Sequence, residues 1–398
     1  MNIRIEPSAL SGSVTAPPSK SCAHRLLIAS ALSGGSCTVS NIPHGEDVAA
    51  TLDCLSALGA DFTITGNSVY FTGTQRESGR VFPCRESGST LRFLLPVVAA
   101  LTDCAEFRGS PRLIERGIDE YERVLPSHDV KITETADGFL TSGRLRAGDY
   151  TVRGDLSSQF ASGLLMALPL VEGDSLLRLL PPVESRPYIA LTRDVFRRFG
   201  IIIEEREENL FFLRGGQSCQ SRDTTVEGDW SNAAVLFALK TLGAGIEIAG
   251  LAEDSGQGDR ICLAYFEELA ASPAELDVSD CPDLAPLLLC IAALKHGGRL
   301  TGTRRLCLKE SDRAQTMAQE LAKFGADIYV YDNSVDIKYK PLHTPTAILN
   351  CHNDHRIAMA LTLLCSRFGG TLEGADCVGK SWREFFDVMK EIGLKVYT

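Results

Sequence analysis

A six-fold internal repeat constrains the fold of this 398-residue chain more than any other feature. Each copy begins with a short polar cap and continues into an apolar helix rich in Ala and Leu, after which an alternating strand follows. Corresponding positions in the six copies are Ser21, Ser89, Ser158, Ser231, Asp283 and Asp354. A second amphipathic helix follows most of the strands, so each unit alternates strands with helices, and the pattern predicts an α/β fold.

The spacing of the copies indicates two halves of three repeats each. Successive starts lie 68 to 73 residues apart, except for an interval of 52 residues between Ser231 and Asp283. After the segment GDRICLAYFEELA, the chain lacks the Gly-Ala-strand ending of the other units. We interpret the fourth repeat as a trimmed unit that has lost a hairpin.

Composition narrows the class of protein. The formal net charge of −11 argues against bulk binding to nucleic acid or to a membrane surface, which needs a basic face. The 13 cysteines are odd in number and scattered, so we expect reduced, buried thiols at positions such as Cys22, Cys54 and Cys290. The first residues lack a signal-peptide core and no apolar run is long enough to span a membrane, so we expect a cytoplasmic protein.

The polar caps indicate anion binding. Ser, Asp and Asn are N-cap residues, and a helix N-terminus carries open N–H donors and a partial positive charge that favours phosphate or carboxylate. Lys20 and Arg25 lie within about one turn of the first helix start, which favours a phosphate site, although a capped helix with solvated cations remains open. His24 is expected on the helix surface.

The second half offers a matching set of charges. Lys309 and Arg313 are spaced i,i+4 and are expected on one helical face, beside Glu310. Asp283 is either an N-cap or a carboxylate that faces a ligand-binding cleft formed by the helix starts, and Asp354 has the same two interpretations. His and Cys residues near position 352 lack a second ligand pair with recognisable spacing, so we expect no metal.

Nine motifs, in order along the chain, carry a resemblance: PPSKSCAHR, SGSTLRF, ERGID, LSSQF, SRPY, CPDLAP, LKESDR, NDHR and GKSW. Together they resemble the 3-phosphoshikimate 1-carboxyvinyltransferase family, also called 5-enolpyruvylshikimate-3-phosphate (EPSP) synthases. The resemblance implies an inside-out, barrel-like α/β fold of two globular halves, each with three βαβαββ-type repeats. It implies an N-terminal half at 19–227, a C-terminal half at 1–18 plus 228–398, and hinge crossings near 18–20 and 226–230.

The resemblance also implies the reaction. Such an enzyme transfers the enolpyruvyl group of phosphoenolpyruvate to the 5-hydroxyl of shikimate 3-phosphate and releases phosphate, in the pathway to chorismate and aromatic amino acids. It is expected to work as a monomer without cofactor or metal and to be inhibited by glyphosate. Because the predicted cations of the two halves would repel one another until a phosphate dianion lies between them, we also expect shikimate 3-phosphate to close the molecule.

The resemblance assigns roles to individual residues. It implies that shikimate 3-phosphate is held by Lys20, Ser21, Arg25, Ser157, Ser158, Gln159, Ser185, Asp283 and Lys309. It implies that phosphoenolpyruvate is held by Lys20, Gly88, Arg116, Arg313, Arg356 and Lys380. The expected catalytic groups are Asp283, Glu310 and Lys20, since the reaction needs carboxylates of shifted pKa in a cationic cage.

Several positions depart from the family pattern. Glu86 and Arg305 stand where relatives often have Asn, and Ser89 and Phe93 replace frequent Thr and Pro. Three other functions remain as alternatives: the sister transferase that acts on UDP-N-acetylglucosamine, an RNA phosphate cyclase of the same fold, and a catalytically dead binding protein on this scaffold.

Overall fold

The computed structural model describes residues 1–74 and 80–398. These residues form two compact units: Pro18–Glu227, here called the central unit, and Met1–Pro17 with Gly228–Thr398, here called the terminal unit.

The helices are α1 (Lys20–Ser33), α2 (Glu46–Ala57), α3 (Gly88–Leu101), α4 (Pro111–Glu115), α5 (Asp119–Val124), α6 (Ser158–Ala167), α7 (Arg186–Arg198), α8 (Trp230–Thr241), α9 (Cys262–Ala271), α10 (Ala285–Leu294), α11 (Arg313–Lys323), α12 (His355–Phe368) and α13 (Phe385–Glu391). The strands are β1 (Asn2–Glu6), β2 (Ser11–Thr15), β3 (Cys37–Ser40), β4 (Ala60–Thr65), β5 (Ser68–Thr74), β6 (Val81–Arg85), β7 (Cys104–Gly109), β8 (Lys131–Thr135), β9 (Gly138–Ser142), β10 (Asp149–Arg153), β11 (Ser175–Leu180), β12 (Ile203–Glu207), β13 (Leu210–Leu213), β14 (Thr224–Thr225), β15 (Gly245–Ala249), β16 (Ala274–Asp277), β17 (Gly297–Thr301), β18 (Asp327–Val330), β19 (Ser334–Lys338), β20 (Leu349–Asn350), β21 (Gly370–Glu373) and β22 (Lys395–Tyr397).

The first helix of each repeat lies inside its unit. In α3 every residue from Thr90 to Ala100 is buried, and in α12 every residue from His355 to Ser366 is buried. The strands instead alternate buried and exposed residues, as in β1 and β10, so the sheets cover the helices and face water on their other side. The predicted inside-out α/β arrangement is confirmed within each unit.

Five of the six sheets share one four-stranded pattern. In β10-β11-β13-β12, for example, the first pair is parallel and the next two pairs are antiparallel. The same pattern occurs in β14-β3-β5-β4, β6-β7-β9-β8, β16-β17-β19-β18 and β20-β21-β1-β22. Within residues 1–74 and 80–398, the sheet of the fourth repeat contains only the parallel pair β15-β2. It lacks both antiparallel strands, which confirms the predicted loss of a hairpin and explains the short interval in the sequence.

All 13 cysteines are free thiols, and those at positions 22, 54 and 290 are buried as predicted. No helix in the part of the chain that the structure describes is both long and apolar enough to cross a membrane.

Candidate active site

In the central unit, α1 begins directly at a predicted site residue. Ser19 is its N-cap and accepts a hydrogen bond from the Cys22 N–H at 3.4 Å, which leaves Lys20 and Ser21 in the first turn. The Lys20 ammonium lies 2.8 Å from Asp47 Oδ2, and both side chains are mostly buried. The start of α1 therefore combines the partial positive charge of a helix N-terminus with a cation held in place by a carboxylate.

Arg25 is buried and surrounded by neutral groups. Its guanidinium donates to Thr192 Oγ1 at 2.8 Å and to the carbonyls of Ser21 and Tyr188 at 2.8 and 3.0 Å, and it lies 4.8 Å above the Phe93 ring. Burial lowers its pKa to about 10. Hydrogen bonds to neutral acceptors do not compensate the charge of a buried cation, so an anionic ligand bound to Arg25 would be stabilising.

Gly88 and Arg116 lie side by side. Gly88 is the first residue of α3, after the N-cap Ser87, and a Cβ atom added there would stand 3.1 Å from the Arg116 guanidinium. The lack of a side chain at Gly88 therefore leaves the space above this helix start to the arginine. The two residues were predicted from separate motifs to bind the same substrate.

Arg92 was not singled out from the sequence, yet it organises this part of the unit. Its side chain donates to Gln159 Oε1 at 2.8 Å and to the carbonyls of Arg116 and Gly117 at 2.9 and 3.0 Å. The Gln159 amide in turn donates to Ser89 Oγ at 2.9 Å. Arg92 thereby fixes which end of the Gln159 side-chain amide is the acceptor, and the NH2 group at the other end is its donor.

The start of α6 carries the predicted serine pair. Ser157 is the N-cap and accepts from the Gln159 N–H at 3.3 Å, and Ser158 is buried as the first helical residue. At the start of α7, Ser185 is buried in the left-handed region, with φ 57° and ψ 37°. Such a conformation costs about 1–3 kcal/mol in a non-glycine residue and is concentrated at functional sites.

In the terminal unit, Asp283 is the shared partner of three cations. Its carboxylate lies 2.7 Å from Arg313, 3.2 Å from Lys309 and 3.7 Å from Arg356. Burial alone would raise the pKa of Asp283, but the three cations outweigh burial and hold this pKa well below its usual range.

The local structure decides between the two alternatives for Asp283 and corrects one prediction. Asp283 lies within the 3-10 turn Pro282–Leu284 and its carboxylate contacts cations, so it does not cap α10. Lys309 and Arg313 do not share a helical face. Lys309 is extended after the 3-10 helix Arg304–Leu308, and α11 begins only at Arg313, because Asp312 caps it by accepting from the Gln315 N–H at 3.2 Å.

Arg313 is the most densely paired of these cations. Its side chain is only 1% exposed and contacts Asp354 Oδ2 at 2.9 Å, Glu310 at 2.9 Å and Asp283 at 2.7 Å. Burial lowers the pKa of Lys309, and neighbouring arginines add to that effect while Asp283 opposes it. Three carboxylates, those of Asp283, Glu310 and Asp354, therefore contact one buried arginine.

Arg356 and Lys380 are held by groups at the start of α12 and α8. Asp354 caps α12 by accepting from the Arg356 N–H at 2.9 Å, and the Arg356 guanidinium donates to Asn232 Oδ1 at 2.9 Å. Lys380 donates to the Asn353 carbonyl at 2.7 Å. Asn232, which the sequence reasoning missed, also bonds Ser381, beside Lys380.

The EPSP synthase (3-phosphoshikimate 1-carboxyvinyltransferase) family model matches residues 5–272 and 264–389 of this sequence. The chain belongs to that family. It is 36% identical to the 3-phosphoshikimate 1-carboxyvinyltransferase of Clostridium kluyveri and 35% identical to that of Clostridium perfringens, with 98% of this chain and 97% of each relative covered. Its fold is similar to that of EPSP synthase from Acinetobacter baumannii, with a TM-score of 0.80, full coverage of both chains and 21% identity.

Three departures of this EPSP synthase family member lie next to predicted ligand residues. Phe93 is the ring beneath the Arg25 guanidinium, and Ser89 accepts from Gln159. Arg305 is buried and donates to the Ser279 carbonyl at 2.9 Å. Phe93, Ser89 and Arg305 are therefore neighbours of the predicted ligand residues Arg25, Gln159 and Lys309, respectively.

His24 corrects a further prediction. It is buried within α1, not on the surface, and its Nδ1 lies 2.7 Å from Thr51 Oγ1. Within residues 1–74 and 80–398, no three His, Cys, Asp or Glu side chains are grouped so that they could hold a metal ion.

Proposed function

We propose that this enzyme transfers the enolpyruvyl group of phosphoenolpyruvate to the 5-hydroxyl of shikimate 3-phosphate, as the names of its relatives indicate. The observation that carries the proposal is the position of Asp283 among Lys309, Arg313 and Arg356, on a chain of the EPSP synthase family. A carboxylate in a cage of cations suits a reaction between two phosphorylated substrates that requires proton transfer.

Residues of both units bind shikimate 3-phosphate in this proposal. The central unit contributes Lys20, Ser21, Arg25, residues 157–159 and Ser185, and the terminal unit contributes Asp283 and Lys309. The buried Arg25 supports this assignment, because a phosphate would supply the anion that its neutral partners do not.

Phosphoenolpyruvate is assigned to a second set of cations. These are Lys20 and Arg116, with Gly88 beside them, and Arg313, Arg356 and Lys380 of the terminal unit. The close approach of Gly88 to Arg116 supports the first group, since a methyl group at residue 88 would press on the guanidinium. Arginines suit a ligand that carries both a carboxylate and a phosphate, because the guanidinium binds each of them bidentately.

The chemistry requires one proton transfer at the substrate hydroxyl and two at C3 of the enolpyruvyl group. The substrate hydroxyl attacks C2 of phosphoenolpyruvate and loses its proton, while C3 gains a proton and becomes a methyl group. The tetrahedral intermediate then expels phosphate as a methyl proton leaves, which restores the double bond. We assign the removal of the hydroxyl proton to Asp283. We assign the proton transfers at C3 and the stabilisation of charge on the departing phosphate to Glu310 and Lys20.

Because its pKa is low, Asp283 can act as the base only if substrate binding changes its surroundings. A carboxylate whose pKa lies well below its usual range is a poor base, and here the cause is three neighbouring cations. Anionic substrates that bind Lys309, Arg313 and Arg356 would offset these charges and raise the pKa of Asp283. The base would therefore become effective only when the ligands are in place.

The remaining proposals concern the whole protein. We propose that the crossings near 18–20 and 226–230 act as hinges between functional halves at 19–227 and 1–18 plus 228–398. We also propose a monomer in the cytoplasm without nucleic-acid or membrane partners, in keeping with the net charge and the buried thiols. Light scattering of the purified enzyme at working concentration tests the monomer, and a dimer would contradict it.

A phosphate-release assay tests the proposed reaction. Purified enzyme with phosphoenolpyruvate is given shikimate 3-phosphate or UDP-N-acetylglucosamine, and the product is identified by mass spectrometry. We expect phosphate and an enolpyruvyl product only with shikimate 3-phosphate. Turnover of the nucleotide sugar would identify the sister transferase, and binding of shikimate 3-phosphate without turnover would identify a binding protein.

A further inference from the structure

The turn that precedes α12 has an unusual backbone. His352 and Asn353 have φ values of 49° and 54°, and they are the only adjacent non-glycine residues with positive φ in the described ranges. Non-glycine residues adopt this conformation at a cost, and it persists where the surroundings hold it. The turn leads directly into Asp354, the cap of α12, and into Arg356.

A buried carboxylate on α11 holds this turn. Glu320 is almost fully buried and lies 3.0 Å from His352 Nε2, and it accepts from the Asn350 N–H at 3.0 Å. Lys323 donates to both of its oxygens, at 2.9 and 2.8 Å. Glu320 already accepts from Lys323 and Asn350, so we assign the His352 imidazole a proton on Nε2, with which it donates to the same carboxylate. The His352 N–H completes the turn by donating to Asn350 Oδ1 at 2.6 Å.

The same helix holds the other end of the turn. Ser311, just before the start of α11, and Arg313, its first residue, contact Asp354 Oδ2 at 3.0 and 2.9 Å, respectively. The segment 350–354 is therefore attached to one rigid helix at two points. Between these points, the Asn353 carbonyl accepts from Lys380 at 2.7 Å. The direction of that carbonyl, and with it the place of the ammonium group, is set by the left-handed turn.

We propose that His352, through Glu320, is a positioning residue for the phosphoenolpyruvate-binding cations Lys380 and Arg356. The proposal rests on the function proposed above for these two residues. His352 touches neither substrate in this scheme. It stabilises the left-handed turn. That turn orients the Asn353 carbonyl toward Lys380 and places Arg356 in the first turn of α12.

Steady-state kinetics of His352→Ala and His352→Gln test the proposal, with His296→Ala as the control, since His296 is an exposed histidine of the same unit. In His352→Ala we expect the KM for phosphoenolpyruvate to rise roughly tenfold, because small displacements of ligand-binding groups are costly. The KM for shikimate 3-phosphate should change less than twofold. Gln can place an amide N–H near the position of Nε2, so His352→Gln should recover most of the loss. Equal changes in both KM values, or none, would overturn the proposal.

A double-mutant cycle separates positioning from general damage. Because His352 acts on Lys380 as well as on Arg356, its removal in a Lys380→Ala background should raise the KM for phosphoenolpyruvate by clearly less than the roughly tenfold expected in the wild-type background. A full tenfold rise on top of the Lys380→Ala effect would show independent action and would contradict the proposed route.

Hydrogen exchange of the ligand-free enzyme gives a readout that does not depend on turnover. The amides of Asp354 and Arg356 are hydrogen-bonded in the turn, so His352→Ala should speed their exchange at least about tenfold, while His296→Ala should not. Unchanged exchange would refute the positioning role. A wild-type enzyme without turnover would refute the proposed function alone, and this measurement would still decide the role of His352.

Discussion

Four charged side chains of the terminal unit are almost excluded from water at one place. Arg313, Arg356 and Asp354 are buried, and Asp283 is mostly covered. Removing one carboxylate from such a cluster leaves buried cations without their partner, which typically costs 3–5 kcal/mol. Variants at these residues must therefore be tested for stability as well as for turnover, and amide isosteres are the appropriate substitutions.

Substitution of the two catalytic carboxylates by amides should act on turnover. We expect Asp283→Asn and Glu310→Gln, made separately, to lower kcat by roughly 10²–10⁴-fold, the usual contribution of a positioned acid or base. The affinity for shikimate 3-phosphate should change far less. Asp312→Asn is the matched control, because this neighbouring carboxylate only caps α11 and Asn caps a helix equally well. A variant that keeps more than a third of wild-type turnover would rule out its assigned role.

The cations should separate by substrate. Arg25→Ala should chiefly weaken the binding of shikimate 3-phosphate. Arg356→Ala and Lys380→Ala should chiefly weaken the binding of phosphoenolpyruvate. The loss of a desolvated charge contact costs about 2–5 kcal/mol of binding free energy. Calorimetric titration of each variant with each ligand measures this directly. Undiminished affinity for shikimate 3-phosphate in Arg25→Ala would remove Arg25 from that site.

Residue spacing revealed some of these groups and concealed others. The LKESDR motif places Glu310 beside Lys309 and Arg313, and Glu310 does contact Arg313. Asp283, which contacts both cations, comes from a different motif, and the local spacing did not predict this pairing. Arg92 and Asn232 were missed because nothing in their local sequence distinguishes a buried arginine or amide from an ordinary helical residue. Their importance arises from contacts with residues 67 and 124 positions away, which only the fold brings together.

At the scale of single elements, helix starts were predictable to within a residue or two. Ser and Asp cap α1, α3, α6, α8 and α12, since each accepts from a backbone N–H of its own helix. The exception is α10, where Pro282 opens a 3-10 turn and leaves Asp283 to its cations. Side-chain burial was less predictable, because α1 is enclosed on all sides and carries His24 into the core.

Enclosure of α1 makes His24 a source of pH-dependent stability. Burial lowers its pKa to about 3, and Lys20 and Arg25 add to the effect while Asp47 opposes it. In the unfolded chain a histidine titrates near 6.5, so between these values only the unfolded state takes up the proton. The free energy of unfolding should therefore fall by about 1.4 kcal/mol per pH unit as the pH drops below roughly 6.5.

Replacement of His24 should flatten this acid dependence. Urea unfolding of wild type and His24→Asn at pH 7, 6 and 5 measures the difference, with His296→Asn, at an exposed position, as the control. We expect His24→Asn to lose less stability than wild type over this range, and the control to follow wild type. Parallel curves for wild type and His24→Asn would mean that this histidine is not the group that resists protonation.

At the scale of the whole molecule, the repeat determined what could be foreseen. Its period predicted the α/β class, and its single short interval predicted the sheet reduced to β15-β2. The placement of β1 and β2 with the C-terminal repeats came from the family resemblance. No local sequence pattern predicts this placement, because the pairing of β1 with β21 and β22 joins opposite ends of the chain.

The proposed ligands of shikimate 3-phosphate are divided between the two units, and this division predicts coupled protection. A ligand that binds only the native state stabilises it by about 2.7 kcal/mol at 100 times its Kd. If Arg25 of the central unit and Lys309 of the terminal unit both bind it, the starts of α1 and α11 should both exchange more slowly when it is present. The amides of α9 that exchange by local opening are the unchanged reference, because α9 carries none of the proposed ligands.

Arg25→Ala makes the experiment decisive. At a fixed, subsaturating concentration of shikimate 3-phosphate, this variant should lose protection at the start of α11 as well as at the start of α1, because one molecule contacts both. Protection of α11 that survives Arg25→Ala unchanged would mean that the terminal unit binds the ligand by itself. The assignment of a single shikimate 3-phosphate to residues of both units would then be wrong.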